Sequence, residues 1–241
     1  MRLINLFLNM EEVIPTLFGC SELITMILET IESTVDKREG LEDGYIKSAT
    51  YAKFEKSAAI LLMDVANIKR YTVDENLWYE DFQLAEEYKN GAAKQDLIDH
   101  YFRGKLTDFF IRTFSLFEDA LSRTLEAEGF EFQKNNFEEK IKILKDKNIL
   151  PAKSDRRFCR FCMHVRNTIH SNGFFGIKDQ KFSNILGEGP FEFKKSQPVD
   201  FFTPQRQINW SKELVNIFEK IAESCKKSAK LKDNAMRENL G

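Results

Sequence analysis

Along residues 11–35 the apolar positions Val13, Ile14, Leu17, Phe18, Leu23, Ile24, Ile27, Leu28 and Ile31 recur at intervals of three and four. That spacing lines one face of an α-helix, and Pro15 sits near its start, where a helix tolerates proline. "KREGLEDG" (37–44) interrupts the pattern with two glycines, and a second helical run follows in "YIKSATYAKFEKSAAILLMDVANIKRY". "GAAKQ" at 91–95 marks another joint. The longest stripe comes next: Phe102, Leu106, Phe109, Phe110, Phe114, Phe117, Leu121 and Leu125, ending before Gly129. About six turns of continuous apolar face predict a central helix of a bundle. "NFEEKIKILKDKN" predicts a short helix from Asn136, with acids first and bases last, as the helix dipole favours.

Ser154 and Asp155 offer caps for a helix running to about His170, closed by Ser171-Asn172-Gly173. Beyond it the texture changes. Glycines and prolines gather between 187 and 204, and "FEFKKSQPVDFF" alternates apolar with polar residues. This predicts a small β-hairpin or irregular flap over about 174–206. Trp210, Leu214, Phe218, Ile221 and Cys225 then mark a last helix, before a polar tail over 226–241 that should fray. The pattern therefore predicts a mainly α, all-helical fold with a small flap before the last helix. Residues 1–90 form a helical N-terminal region packed on the rest, and 91–225 form the main helical domain.

Composition supports a packed core, with 42% hydrophobic against 31% charged residues. The 22 phenylalanines supply bulky core without polar atoms, and read as core rather than as a base-stacking platform. Net charge is −2, so any basic surface must be local. The opening apolar run ends at Glu11, too short for a secretory core or a membrane span. With four scattered cysteines, the expectation is a soluble cytoplasmic chain in a reducing compartment, without membrane contact.

The candidate chemistry lies in "CMHVRNTIHSNG", 162–173, which holds two of the three histidines. At about 100° per residue, Phe158, Phe161, Cys162, Val165 and Ile169 share one arc, the core face. Arg156, Arg160, His164, Arg166, Asn167 and His170 take the other side, with Cys159 and Met163 among them. No acid falls between Arg156 and His170, so this face is electropositive. Arg166 and His170 are i and i+4, neighbours on one ridge. An arginine fork suits phosphate, and histidine exchanges a proton near neutral pH. Taken alone, basic residues near a helix C-terminus simply complement its dipole; the adjacent Asn167 and the Ser-Asn-Gly stop make the arrangement more particular.

"VRNTIHSNGFF" resembles the signature helix of the HEPN superfamily: an Arg, commonly followed by Asn, then a His closing the helix with Asn and Gly after it. "FEFKKSQPVDFFTP" resembles the β-flap that some prokaryotic HEPN-like proteins carry before their last helix. The resemblance is firmest over 155–176 and extends over about 95–225. It implies a HEPN-like helical bundle and metal-independent RNA cleavage, as in ribonucleases of bacterial toxin–antitoxin and phage-defence systems. It also implies a homodimer whose two motifs share one cleft, and an antitoxin or defence protein as partner, with no cofactor.

Carried over, Arg166 holds the scissile phosphate, His170 acts as general acid or base, and Asn167 orients the pair. Arg156, Arg160 and His164 then help to bind the RNA. This chain has three residues between Arg166 and His170, where the family's active pattern has four to six. Arg157 and His164 have six between them, but lack the following Asn and the helix-end position. Two other readings stay open: a catalytically silent HEPN-like interaction or dimerisation module, and a nucleotide-binding helical domain.

Glu118 lies in line with Phe114, Leu121 and Leu125, and a carboxylate pointing inward needs a cation. Arg166 is the candidate, which would make Glu118 an orienting residue; the other reading places Glu118 in water at the stripe's edge. "CRFC" has zinc-like spacing, but the wheel puts Cys162 inside and Cys159 near the polar face, and no second CxxC exists. The pair reads as two small hydrophobes, with no metal expected. Phe174 and Phe175 are candidates for stacking on a base, with packing the preferred role. No GxGxxG, P-loop or GxSxG occurs.

Overall fold

The computed structural model describes residues 18–41, 46–73, 91–171, 179–195 and 201–225. Among them the chain is mainly helical: α1 (Phe18–Arg38), α2 (Ile46–Val73), α3 (Gly91–Ala127), α4 (Phe137–Asp146), α5 (Lys153–His170) and α6 (Pro204–Ser224). A two-stranded antiparallel hairpin, β1 (Gln180–Phe182) and β2 (Phe191–Phe193), precedes α6. No helix among the described residues is long and apolar enough to cross a membrane.

The predicted stripe of α3 is its buried face: Leu106, Phe109, Phe110, Phe114, Phe117, Leu121 and Leu125 are all inside. The helix stops where Gly129 takes φ +82°. There the Phe130 N–H donates to the Leu125 carbonyl at 3.0 Å and the Gly129 N–H to that of Glu126 at 2.9 Å. This pairing satisfies carbonyls that the helix end leaves open, in a conformation that favours glycine. At α4 the Asn136 side chain accepts from the Glu139 N–H at 3.1 Å, and at α6 Thr203 caps while Pro204 occupies the first turn.

The start of α5 differs from the expectation. Ala152 is the N-cap residue and makes no side-chain cap bond, so Ser154 and Asp155 lie inside the first turn. Asp155 is instead buried and paired with Lys220 of α6 at 2.9 Å. The Arg156 guanidinium, which donates to the Leu150 carbonyl at 2.6 Å and to that of Pro151, fastens the incoming loop.

α1 packs on α2, α2 on α3, α3 on α6, and α6 returns to α1, closing a four-helix ring. Leu23, Ile27, Leu61, Val65, Leu106 and Ile208 fill one end of it. α4 and α5 lie against α3 and against each other, and α5 also touches α6. A larger apolar cluster joins these elements to the hairpin. In the hairpin, Gln180 pairs with Phe193 and Phe182 with Phe191. Alternation along a strand puts Phe182, Phe191 and Phe193 on the inner face. Lys181 and Glu192 lie outside, bonded to each other at 2.8 Å.

All these inner rings meet Phe161 of α5. Its centroid lies 4.9 Å from Trp210, 5.1 Å from Phe191, 5.6 Å from Phe182 and 5.8 Å from Phe193. The wheel's core face is confirmed for Phe158, Phe161, Cys162 and Val165, while Ile169 is only partly covered. Cys159 is a correction: expected near the polar face, it is wholly buried. The flank of α5 that carries Cys159 also carries Asp155, and α6 covers it.

Phe161→Ala removes the ring that the hairpin, α5 and α6 share. Denaturant unfolding should show a loss of about 3–5 kcal/mol, the range for a buried phenylalanine, whereas exposed Met63→Ala should stay within about 0.5 kcal/mol.

Candidate functional site

With Phe158, Phe161, Cys162 and Val165 turned inward and Asp155, Cys159 and Thr168 also covered, the remaining side chains of α5 are half-buried or exposed. The structure sorts the expected site residues into three groups by what each side chain already holds.

The first group is structural. Arg156 is spent on the carbonyls of Leu150 and Pro151. Arg160 donates from Nε to Glu138 of α4 at 2.7 Å, an exposed ion pair. Glu138 was not singled out from the sequence. Its place among the acids that open α4 was legible, but not its approach to a residue 22 positions away. Both side chains line an open polar groove of about 480 Å³ with Asn136, Glu139 and Lys142.

The second group lies under the hairpin. His164 is half-buried, its ring centroid 5.5 Å from Phe182 and 5.8 Å from Phe193. Burial lowers its pKa below the ordinary 6.5, with Glu138 pulling the other way. His164 therefore faces aromatic rings as well as solvent, a correction to its simple placement on an open polar face. Arg157, the other half of the six-spaced pair, points to the same flank and donates to the Ser183 hydroxyl at 3.1 Å.

The third group is the helix end. Arg166 is half-buried and donates from an Nη to the Asn167 side-chain oxygen at 3.1 Å. Its Nε is buried and has no hydrogen-bond partner among the described residues. No described carboxylate forms an ion pair with it either. A buried N–H without an acceptor is costly, so this fork holds unspent donor capacity. His170, one turn on, is exposed. Ser171 closes the helix, its N–H donating to the Asn167 and Thr168 carbonyls at 3.1 Å each. The structure thus links Arg166 to Asn167 directly and leaves His170 open to solvent beside them. Asn172, Gly173, Phe174 and Phe175 lie outside the described residues.

Glu118 is also a correction. Its cation is Lys140 of α4, with Nζ 3.4 Å from Oε1, and not Arg166. Lys140 is 1% exposed and stacks its ammonium 5.7 Å from the Phe132 ring centroid. Glu118 therefore answers a buried lysine that α4 brings against α3. Both cysteines of "CRFC" are buried, which pushes their thiols well above the ordinary range. They pack as apolar side chains within the core.

Comparison of the chain with protein-family models finds no match, and comparisons with curated proteins and with solved structures find none.

The Glu118–Lys140 pair gives opposite expectations for its two halves. Glu118→Gln leaves a buried ammonium without its carboxylate and should cost about 1–3 kcal/mol in urea unfolding. Lys140→Met replaces the same stem without the charge and should be neutral or stabilising by about 1 kcal/mol. Equal losses in both variants would show that the pair contributes net stability.

Proposed function

We propose that this chain is a HEPN-like protein acting on RNA, a metal-independent endoribonuclease of a bacterial toxin–antitoxin or defence system. The observation that carries the reading is Arg166: a guanidinium braced by Asn167, free of any described carboxylate, one helical turn before an exposed histidine. A phosphodiester supplies what that fork lacks, anionic oxygens in a plane. In the proposed reaction the ribose 2′-oxygen attacks the adjacent phosphorus and the 5′-oxygen leaves. One imidazole takes the 2′-hydroxyl proton, and one returns a proton to the leaving oxygen. Arg166 stabilises the charge that gathers on the phosphoryl oxygens. The products are a 2′,3′-cyclic phosphate and a 5′-hydroxyl. His170 fills one of the two proton-transfer roles, and its copy in a homodimer fills the other.

A second reading has its own observation. Arg156, Arg160 and Arg157 are engaged with groups of the chain itself, and His164 lies against the hairpin. Three of the expected RNA contacts, Arg156, Arg160 and His164, are thus engaged within the chain, as suits a catalytically silent module that uses the end of α5 to hold a second copy or a partner protein.

Purified protein incubated with RNA in EDTA separates them. Cleavage with 2′,3′-cyclic phosphate ends is expected, falling about 10²–10⁴-fold in His170→Ala. Arg166→Lys should also be damaging, because a point charge does not reproduce the fork. Cleavage abolished by EDTA, or intact in both variants, places any activity elsewhere. Intact RNA with a dimer or complex that Arg166→Ala dissociates supports the second reading.

A further inference from the structure

The hairpin is attached to α5 through two polar side chains as well as through phenylalanines. His164 lies against Phe182 and Phe193 at 5.5 and 5.8 Å. About two turns back, Arg157 donates to Ser183 at 3.1 Å. The rest of that hairpin face is Phe182, Phe191 and Phe193 against Phe161. A titratable ring therefore occupies the edge of an otherwise aromatic contact between a small β element and a helix.

We propose that the β1–β2 hairpin is a proton-sensitive clasp on α5: neutral His164 holds it closed, and protonation of His164 loosens it. Burial of the ring against the phenylalanines, rather than charge, sets that direction. On α5 the basic neighbours are held by other partners, Arg157 by the Ser183 hydroxyl and Arg160 by Glu138. On α4, Glu138 attracts a positive charge on the ring, but that carboxylate is already bonded to Arg160 at 2.7 Å. On the hairpin, Lys181, Glu192 and Lys194 form their own cluster, with Lys181 and Glu192 on the outer face. From α6, Arg206 bonds Glu188 in the turn at 2.6 Å and lies over the Phe191 ring of β2, 5.2 Å from its centroid. The aromatic surroundings penalise the charged imidazole most, and its pKa lies below 6.5 in the closed state. A group whose pKa is depressed on docking lends the docked state its full stability above the undocked value, here about 6.5. That stability is lost as pH falls from there through the docked value. This inference does not depend on RNA cleavage.

Hydrogen exchange of the full chain tests it, read by mass spectrometry on peptides spanning 180–193 and corrected for the intrinsic rate. Between pH 7.5 and pH 5 the opening constant of the hairpin should rise, by at most about tenfold per pH unit, since one proton is involved. Peptides from α3 should stay protected. His164→Phe, which keeps a ring but cannot titrate, should make hairpin protection independent of pH, and His164→Gln provides a second neutral side chain should the larger ring disturb packing. A flat wild-type profile, a pH dependence that persists in both variants, or loss of protection in α3 in step with the hairpin overturns the proposal.

Discussion

The phenyl ring of Phe161 has aromatic neighbours from three directions. Phe158 comes from its own helix, Phe182, Phe191 and Phe193 from the hairpin, and Phe201 and Trp210 from the approach to α6 and from α6 itself. A two-stranded hairpin is marginal in isolation, and this one survives because its inner face is buried against a helix. The same contact leaves α5 little rotational freedom. If the helix turned by one residue, the ring would leave its cage and a polar side chain would enter it. The orientation of every outward residue on α5 follows from that one buried ring.

What the outward face carries is then decided by electrostatics. Residues 153–195 hold nine lysines and arginines against four carboxylates, a net of +5 in a chain whose net charge is −2. Most of that charge is used locally. Arg156 ties a loop, Arg160 meets α4, Arg157 reaches the hairpin, and Lys181 and Lys194 share Glu192. Arg166 differs because its flank adjoins the covered side of the helix, where it meets Asn167 and no described carboxylate. Together with the exposed His170, it is the end of the face that meets no carboxylate among the described residues.

The helices, most of their ends and the hairpin were legible because each is a local property, whereas the start of α5, where Ala152 rather than Ser154 or Asp155 is the N-cap, was not. The α3 stripe, Gly129, the Asn136 cap and the alternation around Phe191 and Phe193 all act within a few residues of themselves. The core face of α5 was legible for the same reason, since a wheel gives angles. A wheel does not say which neighbour covers each flank. Cys159 and Asp155 are buried because α6 packs beside them, and His164 is half-buried because the hairpin folds back on it. The partners of Glu118 and Arg160 are Lys140 and Glu138, both on α4, a short helix whose docking brings distant charges together. Such pairs depend on how helices meet, and nothing in the local spacing of either residue encodes that.

In the proposed function, the C-terminal end of α5 is the surface where an anionic ligand binds. Titrating a short single-stranded RNA into isotope-labelled protein and following each backbone amide tests that surface directly. The largest shifts are predicted between Arg160 and Ser171, with the groove between α1 and α6, lined by Glu29, Glu32, Asp36 and Glu219, unchanged. Shifts centred on any other face, or none at saturating RNA, would contradict it.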